Sequence, residues 1–244
     1  MPSLTVHPQV FEKLPGLQVL VFTFPSDVHY TDSKEDCSKL LADAWTGCRS
    51  VISQYANPQS HPRLAAWRQA YTNHLQLPTK KYTTSIENLV RRAVKADSTP
   101  RSIAPLVDFY NAVSLQTLVP FGGFDLNDDR VDWGCMELRL TQSDDRFHCL
   151  DGESTEALPV NEVAYCCGNT VLTRHINWKQ SREGLINADT SNVVLMAEVL
   201  GDLEDPNGVA QEVIDCVCRE SERLFKVKPT VFIANQETPF IEYK

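Results

Sequence analysis

Hydrolases and transferases often carry a nucleophile, a general base or a phosphate-cradling loop at a standard spacing. This chain has no GxxxxGK[ST], no strand-linked GxGxxG, no GxSxG elbow and no HExxH. Its six histidines, His7, His29, His61, His74, His148 and His175, are scattered, and no pair has metal-ligand spacing on a predicted helix. The eight cysteines, Cys37, Cys48, Cys135, Cys149, Cys166, Cys167, Cys216 and Cys218, form no CxxC pair and mostly sit in apolar periodic segments. Reduced, buried thiols are the expectation, with no metal and no cofactor. What remains is "LVPFGGFDL", where Gly122 and Gly123 stand side by side between Pro120 and Asp125. Adjacent glycines serve a turn, or let backbone amides come close to a ligand.

The elements that must position such a site can be read from hydrophobic period. Residues 17–24, "LQVLVFTF", read as a strand. Cys37, Leu40, Leu41, Ala44, Trp45, Cys48, Val51, Ile52 and Tyr55 then keep helical spacing, with Asp32 and Glu35 as a capping box. "HPRLAAWRQAYTNHLQL" predicts a second helix and "TSIENLVRRAVKA" a third, capped by Thr84 and Glu87. The third turns Ile86, Leu89, Val90, Ala93 and Val94 inward, and Arg91, Arg92 and Lys95 outward. From residue 135 the period changes. "CMELRLTQSDDRFHCL" predicts a hairpin about the "QSDD" turn. "NEVAYCC" and "TVLTRHI" predict strands about Gly168-Asn169, and "SNVVLMAEVL" another. A helix entered at Asp205-Pro206 and a short strand, "KPTVFIANQ", complete the reading. Helices cluster early and strands late, without βαβ alternation or repeats, so the expected class is α+β, helices on a mostly antiparallel or mixed sheet, in one domain over 1–244.

Composition bounds the function. With 42% hydrophobic and 23% charged residues the chain is an ordinary globular protein, long enough to bury a core without disulfides. A net charge of −9 argues against a broad nucleic-acid-coating surface and for no DNA partner, while leaving room for a local basic patch. The start lacks a basic n-region and an apolar h-region, and no apolar run is long enough to cross a bilayer. A cytoplasmic protein without a membrane partner is expected.

Three longer stretches carry more: "KKYTTSIENLVRRAV", "RSIAPLVDFYNAVSLQTLVPFGGFDL" and "TRHINWKQSREGLI". With the residues between them they resemble the editing module, third and fourth domains, of the bacterial phenylalanyl-tRNA synthetase β subunit, and free-standing relatives of it most of all. In the second stretch Val107, Asp108, Asn111, Ala112, Val113, Leu115, Pro120, Phe124 and Asp125 follow the family pattern in order without a gap. Asn177, Trp178, Gln180 and Ser181 form the "NWxQS" element of the free-standing relatives. The resemblance is strongest over residues 65–200. It implies the editing-domain fold and hydrolysis of the ester that joins a wrong amino acid to a tRNA 3′ end. The partner would be a mischarged aminoacyl-tRNA: canavanyl-tRNA for arginine ahead of tyrosyl-tRNA for phenylalanine.

The same resemblance selects residues. Asn111 with the backbone amides of Gly122 and Gly123 would form the catalytic centre. Tyr110, Asp108, Asp125, Asn177, Trp178, Gln180, Ser181, Glu198 and Glu87 would meet the substrate. Of these, Asp108, Asp125, Glu87 and Glu198 would be counter-charges if the amino acid is cationic. Lys80, Lys81, Tyr82, Ser85, Arg91, Arg92 and Lys95, with Arg101 nearby, would contact tRNA. Bland roles stand beside these: turn or helix caps for Asp108 and Asp125, capping for Tyr82 and Ser85, packing for Trp178, and a solvated face for the cations. The chain also departs from the family. Gly122 stands where the synthetase has a histidine, Tyr110 replaces a threonine, and Met196 aligns with the synthetase glutamate, Glu198 lying nearby on the same strand. Losing both tyrosine-gripping residues disfavours tyrosine, and the lost histidine leaves open a module that binds without chemistry.

Overall fold

The computed structural model describes residues 2–150 and 155–243. The chain opens with β1 (Ser3–Val6), α1 (Pro8–Lys13) and β2 (Gln18–Thr23). A helical block follows: α2 (Lys34–Ile52), α3 (Pro62–Gln69) running into a π-helical turn at Ala70–His74, α4 (Ser85–Ala93) and α5 (Pro105–Thr117). Then come β3 (Phe121–Asp125), β4 (Met136–Leu140), β5 (Arg146–His148) and β6 (Thr155–Ala157). Next are β7 (Val163–Cys167), β8 (Thr170–Arg174), the short β9 (Lys179–Gln180) and β10 (Val193–Val199). α6 (Pro206–Phe225), β11 (Thr230–Ala234) and β12 (Phe240–Glu242) end the described chain.

The fold is α+β in three layers. A four-stranded antiparallel sheet, order β11-β2-β10-β3, lies in the middle. One of its faces, with Leu20, Phe22, Leu195 and Ala197, packs on the helices through Trp45, Phe109, Val113 and Val217. Its other face, with Val19, Val21, Val194 and Met196, packs on the larger sheet through Leu4, Met136, Leu138 and Tyr165. Being buried on both faces explains why "LQVLVFTF" is apolar without a break from Val19 to Phe22. The larger sheet, order β12-β1-β4-β7-β8-β5-β6 with β9 on β8, is mixed; β1–β4 and β5–β8 run parallel.

Several local expectations need correction. β4 and β5 do not form a hairpin: β4 pairs with β1 and β7, and β5 with β8 and β6. The "QSDD" turn exists, but Asp145 folds back to bind the Arg139 guanidinium through two 2.8 Å bonds, and the strands diverge into different neighbours. Asp32 and Glu35 make no capping box. Residues Tyr30–Ser33 form a 3-10 turn, α2 starts at Lys34, and the Ser33 hydroxyl donates to Leu224 O at 2.7 Å. Only half of the second box forms: Thr84 Oγ1 accepts from Glu87 N at 3.3 Å, while the Glu87 carboxylate turns to Arg68 at 2.8 Å. Gly122 and Gly123 are not a turn but the middle of β3. α5 was unforeseen because it is buried on most of its faces and shows little period. Cys37, Cys48, Cys135, Cys166, Cys167, Cys216 and Cys218 form no disulfide; burial pushes the Cys37 thiol up to about 12 and Cys48 to about 11.

Candidate functional site

β3 is an edge strand, paired on one side with β10 in the register Gly122↔Met196 and Gly123↔Leu195. Glu198 N–H donates to Pro120 O at 3.4 Å, so Pro120–Glu198, and by alternation Gly122–Met196, are the hydrogen-bonded pairs. The Gly122 amide is therefore spent on the sheet. The polar groups of Gly123 point the other way, where its carbonyl accepts from Gln180 Nε2 at 3.2 Å. Neither glycine has positive φ. Gly123 is small because of close approach: a Cβ there would lie 2.4 Å from Leu195 Cδ2 and 2.6 Å from Val194 O. At Gly122 a Cβ would meet nothing within 4 Å.

A cavity of about 270 Å³ opens along this free edge. α5 contributes Tyr110 and Asn111. α4 contributes Ser85, Asn88 and Arg92, spaced so that one exposed face lines the rim. The segment from β8 to β9 supplies Thr173, Asn177, Trp178, Lys179 and Gln180, and β10 supplies Met196 and Glu198. His175 (φ 46°) and Ile176 (φ 62°) are both left-handed, unusual for non-glycine residues and more so for a β-branched one. This bend carries Asn177 and Trp178 to the cavity, and Ser85 N–H fixes it by donating to Asn177 O at 2.8 Å.

The floor is dry. Glu198 is 5% exposed and accepts from the Tyr165 hydroxyl at 2.8 Å. Burial pushes its carboxyl up to about 8, against the opposing hydrogen bonds of Tyr165 and Asn177. Beneath it the Tyr71 hydroxyl lies 2.8 Å from His175 O and 2.7 Å from Asn177 Oδ1. Burial pushes His175 down to about 4, so its ring is neutral, packed on Tyr82 at 4.4 Å between ring centres. Among the described residues, the side chains of Tyr110, Asn111 and Thr173 line the cavity without a hydrogen-bond partner.

The remaining predicted residues lie elsewhere. Asp108, in the first turn of α5, holds the segment before the helix, accepting from Ser102 Oγ at 2.5 Å and Ile103 N at 3.0 Å. Asp125 holds a loop through Asn127 N at 2.9 Å and Thr190 Oγ1 at 2.7 Å. Glu87 is neutralised by Arg68 and by Arg91 at 3.1 Å. Of the four acids, only Glu198 lines the cavity. The Ser181 hydroxyl donates to Glu183, whose other oxygen lies 2.7 Å from His148 Nδ1. These are triad residue types in the wrong order, because the hydroxyl binds the acid and not the imidazole. Lys80, Lys81, Lys95 and Arg101 are exposed away from the cavity, with Lys81 Nζ 5.0 Å from the Tyr82 ring centre. Tyr82 packs edge-on against Trp178 at 4.8 Å, forming the wall behind the cavity. Sequence reasoning missed Tyr71, Asn88, Tyr165, Thr173 and Lys179. Their only signal was membership of elements read as core or surface.

Among the described residues no cluster of His, Cys, Asp and Glu could hold a metal, and no helix is long and apolar enough to cross a membrane. No curated protein matches the chain. It is similar to the crystal structure of an N-terminal fragment of the phenylalanyl-tRNA synthetase beta-subunit from Pyrococcus horikoshii, at 10% identity and a TM-score of 0.37. The match covers 54% of this chain and 45% of that fragment, so the chain spans less than half of the fragment's length. A family model described as the B3/4 domain matches residues 66–204, which include every residue that lines the cavity. With more than half of its length matched, the chain belongs to the B3/4 domain family and is a relative of the synthetase module that its sequence resembles.

Proposed function

We propose that the chain is a hydrolase that cleaves the ester of a mischarged aminoacyl-tRNA. One observation carries this reading: the Gly123 edge, which the sheet leaves unpaired, shares a cavity with the free Asn111 amide and a buried carboxyl at Glu198. An aminoacyl ester is already activated. A hydrolase for it has to position water and stabilise the oxyanion, without forming a covalent intermediate. In this reading the Gly123 N–H faces the ester oxygen and Asn111 orients the water. Water adds to the carbonyl, the bond to the ribose oxygen breaks, and the ribose oxygen takes up the proton. The neighbouring ribose hydroxyl assists, so the lack of a triad is no obstacle. The amino-acid side chain points to Glu198. A cationic one such as canavanine would be matched by that carboxyl once ionised; tyrosine is the weaker substrate. Arg92, with Ser85 and Asn88, faces the tRNA end. The reading carries with it a cytoplasmic location.

A binding module without chemistry is favoured by two features: Gly122 occupies the family histidine's place, and burial holds the proton on the Glu198 carboxyl up to about 8. Incubation with a panel of mischarged tRNAs, canavanyl-tRNA for arginine and tyrosyl-tRNA for phenylalanine among them, decides between the two. Ester loss above buffer supports the hydrolase; none on any substrate rejects it. Asn111→Ala is expected to lower turnover at least tenfold while leaving the melting temperature within a few degrees. Equal loss of both returns Asn111 to a structural role.

A further inference from the structure

A regular strand sends alternate side chains to opposite faces. In β8, Val171 packs outward with Phe147 and Cys166, and Leu172 packs inward, in the core between the two sheets. Strict alternation would turn Thr173 outward again. The pairing with β7 slips at this point: Cys166 stands opposite Val171 and Tyr165 opposite Thr173, so Leu172 is an extra residue. A bulge of this kind re-aims the side chain after it, and Thr173 lines the cavity. It is half-buried, and among the described residues its hydroxyl has no hydrogen-bond partner. The bulge thus delivers a hydroxyl that the fold itself leaves unused.

Tyr165, Thr173 and Gln180 form one row across β7, β8 and β9. Both ends of the row are tied to the central sheet. Tyr165 donates to Glu198 at 2.8 Å, and Gln180 donates to the Gly123 carbonyl at 3.2 Å. Thr173 stands between the two ties. On the central sheet Gly122 has the matching place, next to Gly123 and diagonal to Glu198 across the β3–β10 pair, about 7–8 Å away. Met196, the partner of Gly122, packs towards the larger sheet, so a side chain at 122 would point the same way. None is there, and a Cβ would meet nothing within 4 Å. One sheet offers an unused hydroxyl, and the other a vacancy.

We propose that Thr173 is a specificity-determining residue, which with the vacancy at Gly122 seats the tip of the ligand's side chain. Its hydroxyl selects a tip that carries N–H or O–H groups over a hydrocarbon tip of equal size. The vacancy gives the tip the room that a side chain at 122 would take. A polar tip replaces the water that it displaces from Thr173, since a hydroxyl both donates and accepts. A hydrocarbon tip strips that water and returns nothing, and such a site discriminates strongly between two ligands of one shape. The inference rests on the aminoacyl reading above and deepens it by assigning the substrate class, amino acids with a polar-tipped side chain.

The test is calorimetric binding of aminoacyl-adenosine analogues whose amide linkage cannot be hydrolysed. Arginyl and glutaminyl analogues are each compared with the hydrocarbon isostere of equal length, and with the alanyl analogue. At least one polar member is expected to bind about tenfold more tightly than its isostere, the worth of one hydrogen bond. Thr173→Val should abolish that preference by weakening the polar analogue alone, and Thr173→Ser should restore it. Gly122→Val should weaken the long analogues about tenfold and leave the alanyl one within about twofold. Equal affinity of polar and hydrocarbon analogues for the unsubstituted chain overturns the proposal. So does an equal effect of Thr173→Val on both, or loss of the alanyl analogue in Gly122→Val. If Thr173→Val fails to fold, Thr173→Ala takes its place under the same outcomes. Selective binding without deacylation of any mischarged tRNA would reject the hydrolase and keep this seat. Binding of no analogue would reject the aminoacyl reading and the seat together.

Discussion

The rim and the floor of the cavity hold polar groups under opposite conditions. On the rim, Ser85, Asn88 and Arg92 stand on an exposed face of α4, with Lys179 also lining the cavity. On the floor, Glu198, Tyr165, Asn177 and Tyr71 are buried and bonded in pairs, Tyr165 to Glu198 and Tyr71 to Asn177. Charge on the rim is screened by salt and is cheap to change. On the floor each polar atom is either satisfied or costly, and a single proton alters what the cavity can accept. The contrast teaches a division of labour. In the proposed function, capture of a polyanion falls to the rim, and choice among ligand ends falls to the floor.

The largest expected effect breaks the floor. The Glu198 carboxyl is raised to about 8 from its ordinary 4.5, so the folded chain keeps a proton that the unfolded chain releases between those values. Its contribution to stability is complete below the lower value and is lost as pH rises to the upper one, at about 1.4 kcal/mol per pH unit. Glu198→Gln removes that slope, so urea unfolding of the two proteins should diverge steadily across the window; parallel curves would mean a hydrated floor. His175 has the opposite sign. Its stability is present above 6.5 and is lost as pH falls towards 4, in both proteins alike.

A smaller effect separates the two glycines of the wall between rim and floor. Gly123→Ala forces a methyl onto Leu195 and the Val194 carbonyl and should cost about 1–3 kcal/mol by thermal unfolding. Gly122→Ala meets open space and should leave stability within about 0.5 kcal/mol while narrowing the cavity. Equal losses would erase the distinction drawn here between close approach and vacancy. The smallest effect on stability belongs to the rim. Arg92→Glu should leave unfolding nearly unchanged, yet lower the salt slope of tRNA affinity by about one. An unchanged slope removes tRNA from the rim.

What the sequence discloses follows the same line between local and distant causes. α6 was legible because Asp205, Pro206 and a regular apolar stripe act within one helix, and Asp205 does accept from Gly208 N at 2.9 Å. The β7–β8 hairpin was legible for the same reason, its turn being local. The supposed β4–β5 hairpin was not, since both strands find partners far away in sequence. Gly122-Gly123 stood out at once, but a glycine required by a neighbour's side chain looks the same in sequence as one required by a turn. Asn177 and Glu198 were reached through a family pattern. Tyr71 and Tyr165 were hidden, because a tyrosine in an apolar stripe does not reveal where its hydroxyl ends.

One consequence follows from β3 lying at the margin of its sheet. An unpaired strand margin is ordinarily a hazard, a template on which another chain can add and begin to aggregate. Here Gln180 occupies the Gly123 carbonyl, while α4 and the β8–β9 segment stand on either side of the gap. Both elements stand beside the edge on which a further strand would have to add. The walls of the cavity thus also cover a strand edge, and widening them for a bulkier guest would lay more of that edge bare.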